Sequence, residues 1–149
     1  MTQQDWPTQL RERGLRVTRQ RLAVLEAVHA QPHRPAESVH STVAEQLPDI
    51  TVQSVYTVLH DLSAKDLIRR FDPPGAAACY ETRTEDNHHH AICTRCGRIE
   101  DVDCVHGEAP CLEAPASLGM SIDVADVVFR GLCAACRQTQ AESPASVAA

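Results

Sequence analysis

The chain has 149 residues, a formal net charge of -6 and only 3% aromatic residues. That length holds one full domain or two small ones; no apolar run is long enough for a membrane span, and the polar N-terminus does not resemble a signal peptide. We therefore expect a cytoplasmic protein with no membrane partner, whose seven cysteines serve as metal ligands and free thiols rather than disulfides.

Trp6 and Leu10 predict a short first helix that ends at Gly14, a residue suited to a C-cap. Thr18 is placed to cap a second helix in which Leu22, Leu25 and Val28 share one face. Around this junction Arg11, Arg13, Arg16, Arg19 and Arg21 form a positive cluster broken by Glu12. Such a cluster suits a phosphate backbone, and an ordinary solvated helix face is the plainer alternative. The cluster is local, because residues 1–72 balance nine basic against nine acidic side chains, while residues 73–149 carry five against eleven.

The segment Gln31-Pro32-His33-Arg34-Pro35 breaks the helical pattern. Val39, Val43 and Leu47 predict a third helix stopping at Pro48-Asp49. Thr51 can cap a fourth, with Val52, Val55, Leu59 and Leu62 facing inward. Its other faces carry Gln53, Ser54, Tyr56, Thr57 and His60. Residues 67–71 and 76–81, on either side of Pro73-Pro74-Gly75, read as a two-stranded wing. Three helices followed by a wing make a winged helix-turn-helix, whose last helix fits a major groove about 12 Å wide. The alternative is a plain helical bundle capped by a hairpin.

The second half predicts short strands at Ala91-Ile92, Ile99–Asp103 and Val124–Phe129, with a helix at Glu113–Leu118. The expected fold class is α+β: a winged-helix domain with wing and hinge over 1–82, a small α/β metal-binding domain over 83–137, and a disordered tail over 138–149.

Cys93-x-x-Cys96 and Cys133-x-x-Cys136 offer four thiolates to one tetrahedral ion, most naturally zinc, and leave no position for water. The site is therefore expected to be structural. Gly97 fits the tight turn of a cysteine knuckle. His88 and His90 lie two apart, on one side of a strand, with His89 pointing away; Glu81 and Asp101 can add oxygen ligands and His33 can complete the set. Three imidazoles and two carboxylates suit iron(II), manganese(II) or nickel at least as well as zinc. A solvated histidine tract is the alternative. Cys104 and Cys111, with His106 between them, are either further ligands or a thiol pair open to oxidation, and Cys79 reads as a small buried hydrophobe. No His-Glu-x-x-His, deaminase pattern or phosphate-cradling glycine loop is present, so an enzyme is not expected.

The stretches Gly14–Arg21, Thr51–Leu59, His88–Gly97 and Cys133–Cys136 together resemble the ferric uptake regulator family, over roughly residues 8–137. The resemblance implies a homodimeric, metal-dependent repressor that binds palindromic double-stranded DNA. It assigns Cys93, Cys96, Cys133 and Cys136 to structural zinc, and His33, Glu81, His88, His90 and Asp101 to a regulatory site between domains. It likewise implies that Tyr56 touches bases and Arg16 approaches the minor groove; Gln53, Ser54 and Thr57, as medium-sized polar side chains on the fourth helix, and Arg19, from the basic cluster, are read from the residues themselves as further DNA contacts. A further family site would draw on Asn87, His89, Glu108 and position 125, which here is Ala125 and offers no ligand. Asp101, where iron-sensing members more often have glutamate, and the extra Cys104 and Cys111 resemble the peroxide-sensing regulators of actinobacterial catalase-peroxidase genes. Expected alternatives are a repressor of iron or other transition-metal uptake, and a metal buffer that binds no DNA.

Overall fold

The computed structural model describes residues 4–86, 88–103, 116–121 and 127–142. Its chain divides into two compact units, Met1–Asp86 and Asn87–Ala149. Cys104, Cys111, His106, Glu108, Asn87 and Ala125 lie outside the described residues.

The N-terminal unit begins with α1 (Trp6–Glu12), capped by Asp5, whose side chain accepts from the Thr8 N–H. Gly14, at φ 73°, turns the chain out of that helix in a conformation that side chains with a Cβ resist. Thr18 caps α2 (Arg19–Ala30) by accepting from the Arg21 N–H, as its sequence position predicts. α3 (Ala36–Ala44) is shorter than expected, because its last turn tightens at Glu45 and Leu47 falls beyond it. α4 (Val52–Ala64) is capped by Thr51, which accepts from the Ser54 N–H. Val55, Leu59 and Leu62 are fully buried on its inner face, but Val52 is exposed. As the first helical residue, Val52 sits before the inward stripe begins.

These helices share one core of Leu10, Val24, Leu25, Val28, Val39, Val43, Val55, Leu59 and Leu62. The wing strands β2 (Arg69–Phe71) and β3 (Cys79–Glu81) pair antiparallel, Arg70 opposite Tyr80. Their loop turns at Pro73–Ala76, with Pro74 and then Gly75 at φ 75° in the central positions and the Ala76 N–H donating to Pro73 O. A third strand, β1 (Arg34–Pro35), joins the far side of β3, in the segment expected only as a break. Pro35 is tolerated because β1 is an edge strand.

In the C-terminal unit β4 (His89–Cys93) is central, antiparallel to β5 (Ile99–Val102) and parallel to β6 (Val128–Gly131). A short 3-10 turn covers Ala116–Leu118 at the end of the helix expected over Glu113–Leu118, whose earlier residues are outside the described set. α5 (Ala134–Glu142) follows. Residues 138–142, expected as the start of a disordered tail, are therefore helical: the polar sequence Gln138–Glu142 continues a helix already started beside the cysteines. Among the described residues, no helix is long and apolar enough to cross a membrane.

Candidate metal centres and nucleic-acid interface

The β4–β5 turn and the start of α5 bring the two cysteine pairs together. The Gly97 N–H donates to Cys93 O and the Cys93 N–H to Arg98 O, which folds Cys93–Cys96 into a knuckle with Gly97 at φ 76°. Cys93 lies opposite Gly131 in the β4–β6 register, just before Cys133, which immediately precedes α5, and Cys136, in its first turn. The four Sγ atoms lie within 4.8 Å of one another, and Cys96 Sγ is 3.8 Å from Cys133 Sγ.

The electrostatics of this cluster favour a cation. The backbone N–H groups of Cys133 and Cys96 donate to the Cys93 thiolate and bring its pKa down to about 6. Cys136 is pushed up to about 12, first by its hydrogen bond with Cys133 and then by burial and the other thiols. One thiolate is thus welcomed and the last is resisted. A divalent ion among them lets all four ionise, and a closed set of four thiolates is the donor chemistry of structural zinc.

Each unit also brings imidazole and carboxylate side chains together within itself. In the N-terminal unit, the His33 N–H donates to Tyr80 O as β1 begins, which sets the ring beside β3. His33 adopts φ 63°, unusual for a residue with a side chain, and its Nε2 lies 2.9 Å from Glu81 Oε2. In the C-terminal unit His90 stands opposite Asp101 in the β4–β5 register. His88 and His90 lie on the same side, ring centroids 4.9 Å apart, as their spacing predicts. Their Nε2 atoms are 3.6 and 3.7 Å from the same oxygen, Asp101 Oδ1. His89 is buried as well, although its place in the strand turns it to the other face. One histidine nitrogen beside a carboxylate in the N-terminal unit, and two on one carboxylate oxygen in the C-terminal unit, are nitrogen and oxygen donors of the kind that first-row divalent ions take.

The outer face of α4 presents Gln53, Tyr56, Thr57 and His60 to solvent. The Thr57 hydroxyl donates to Gln53 O, and Ser54 Oγ lies 2.9 Å from the capping Thr51 hydroxyl, so both sit tight on the helix. A cleft of 360 Å³ between the starts of α2 and α4 is lined by Arg16, Arg21, Ser54 and Thr57. Arg16 and Arg19 are exposed. Arg21, part of the same basic cluster, is committed inside the unit: it pairs with Asp61 at 3.0 Å and donates to Arg16 O at 2.9 Å. It braces the loop that carries Arg16, a role that no local pattern announced. Glu37 is a second unannounced residue, accepting a hydrogen bond from the Tyr56 hydroxyl at 2.7 Å. Cys79 is buried with its thiol raised chiefly by desolvation, in keeping with a small hydrophobe.

Known proteins resemble this chain in sequence and in fold. A profile of the ferric uptake regulator family matches residues 12–129. The transcriptional regulator FurA of Mycobacterium tuberculosis is 52% identical over 132 residues, covering 89% of this chain and 90% of that protein. Ferric uptake regulation protein 1 of Mycolicibacterium fortuitum is 50% identical over 125 residues, covering 84% and 78%. Among solved structures, a zinc uptake regulator complexed with zinc and DNA superposes with a TM-score of 0.66 at 23% identity, covering 89% of this chain and 90% of that one. The Campylobacter jejuni peroxide stress regulator gives 0.62 at 23%, covering 89% and 100%, which at this identity speaks for the fold alone. The α+β fold, the four-cysteine cluster and these matches agree: the chain belongs to the ferric uptake regulator family, and it is a metal-dependent transcriptional regulator rather than an enzyme.

Proposed function

We propose that this protein is a peroxide-responsive repressor that binds palindromic operator DNA as a homodimer while its regulatory metal is in place. The N-terminal unit is the DNA-binding domain and the C-terminal unit the dimerising, metal-binding one. Cys93, Cys96, Cys133 and Cys136 hold structural zinc. His33, Glu81, His88, His90 and Asp101 hold one regulatory ion, iron(II) or manganese(II), with zinc or nickel able to occupy the same ligands.

The observation that carries this reading is the splitting of the nitrogen and oxygen donors between the units: His33 against Glu81 in one, His88 and His90 on Asp101 in the other. An ion that takes ligands from both restrains one unit against the other. It selects the DNA-competent arrangement to the extent that it binds that arrangement more tightly. Iron(II) held there would supply the electron that turns peroxide into an oxidant of the neighbouring histidines. The chain's part is to hold His33 and His88 within reach of that chemistry, and one oxygen added to either ring would weaken its nitrogen as a ligand.

On DNA, Tyr56, Gln53, Ser54 and Thr57 read base edges from α4, and Arg16 and Arg19 meet phosphates and the minor groove. The test is peptide mass spectrometry and duplex binding on protein purified without oxygen. Peroxide should add one oxygen to His33 or His88 and release DNA in the iron-loaded form only. Equal inactivation of the zinc-, manganese- and iron-loaded forms would instead place sensing on thiols, with Cys104 and Cys111 the first to map. The 50% identity to a ferric uptake regulation protein favours a second reading, a repressor that follows metal supply; it predicts release on chelation and no response to peroxide.

A further inference from the structure

Tyr56 is 41% exposed on the outer face of α4, yet its hydroxyl is not left to water. It donates to Glu37 Oε1 at 2.7 Å, and Glu37 stands in the first turn of α3. A tyrosine on a helix surface ordinarily samples several rotamers, and its ring sweeps a wide arc. A charge-assisted hydrogen bond to a carboxylate on a neighbouring helix selects one of them. It also spends the hydroxyl's single proton, so the oxygen turns only lone pairs outward. Both partners register the bond: it holds the Glu37 carboxyl below its ordinary value and the Tyr56 phenol above its own. Arg70 and Tyr80 of the wing line the same groove as Tyr56.

We propose that Glu37 is a positioning residue for Tyr56 and, through it, a determinant of DNA sequence specificity. The inference rests on the reading that α4 recognises DNA. Held by Glu37, Tyr56 meets a base edge as a hydrogen-bond acceptor, suited to the exocyclic amino groups of adenine or cytosine. Unheld, the hydroxyl donates or accepts and discriminates less. The carboxylate has a second effect of opposite sign on affinity. It places a negative charge beside a polyanion and weakens binding to every duplex alike. Geometry and charge are therefore separable by substitution.

The test uses full-length, metal-loaded protein and a duplex recovered by selection from a random pool, with a scrambled duplex of the same length as reference. Glu37→Gln keeps an acceptor and removes the charge; it should tighten both duplexes and preserve their ratio. Glu37→Ala removes the acceptor too, and the ratio should fall about tenfold, the value of one charge-assisted hydrogen bond. Tyr56→Phe should lose a similar factor, and Glu37→Ala combined with Tyr56→Phe no more than either alone. Glu37 is exposed, so circular dichroism and metal content should match the parent in each variant. A preserved ratio in Glu37→Ala, or additive losses in the double variant, overturns the proposal. Tyr56→Ala separates the two readings: if it also preserves the ratio, or if selection recovers no duplex, recognition by α4 fails. If Tyr56→Ala collapses the ratio while Glu37→Ala does not, only the brace fails.

Discussion

The two units are held together by different physics. The N-terminal unit buries Leu10, Val24, Leu25, Val28, Val55, Leu59 and Leu62 in one continuous core at 0% exposure, with capped helices around it. Among the described residues of the C-terminal unit, the buried side chains are Cys93, His88, His89 and His90, all of them potential ligands. Buried side chains of this kind add order when an ion joins them, much as in small metal-stapled domains. On the proposed function, a self-supporting helical unit reads DNA and the second unit answers to metal.

The contrast is broken most severely at the cysteines. Cys96→Ser should lose bound zinc and the C-terminal unit's strand and helix signal in far-UV circular dichroism, while the N-terminal helices persist. An unchanged spectrum would show that the second unit does not depend on its staple. On the other side of the comparison, Leu59→Ala removes a fully buried side chain and should cost about 2–5 kcal/mol in chemical denaturation. Zinc content should be unaffected, and a parallel loss of zinc would mean that the units do not fold on separate terms.

Acidification sharpens the same point with a smaller effect. Cys93 is the thiol with the depressed value, about 6. Its stabilising contribution is therefore complete above the ordinary thiol range and is lost as pH falls through about 6. In zinc-free protein, alkylation of Cys93 should therefore persist down to about pH 6 and fall off below it, with no matching change in the helical signal of the N-terminal unit. Loss of Cys93 alkylation already within the ordinary thiol range would place the depressed thiol elsewhere.

Much of this was legible in the chain itself, and for physical reasons that differ by element. The cysteine pairs are legible because a knuckle fixes its ligands three residues apart. Thr18 and Thr51 are legible because a helix start needs a side-chain acceptor at that position. The two-residue spacing of His88 and His90 does bring their rings together, although only His90 lies within β4. What failed was non-local. β1 exists only because β3 pairs with it, as Arg34 opposite Tyr80, and Pro32 and Pro35 argued locally for a loop. Residues 138–142 carry little apolar character, and what makes them helical is continuation from a turn started at Cys133. Arg21 looked like one more cation in a cluster until Asp61 claimed it, and the bond from Tyr56 to Glu37 crosses between two helices.

The central claim is that the divided nitrogen and oxygen donors, once filled, set affinity for DNA. The direct measurement is equilibrium binding to a selected palindromic duplex by protein that keeps its zinc, with and without manganese(II), for the parent and for His33→Ala. The account predicts that manganese tightens binding by the parent at least about fivefold, the lower end of a typical coupling between sites, and has no effect on His33→Ala. Equal affinity of the parent with and without the ion would contradict it.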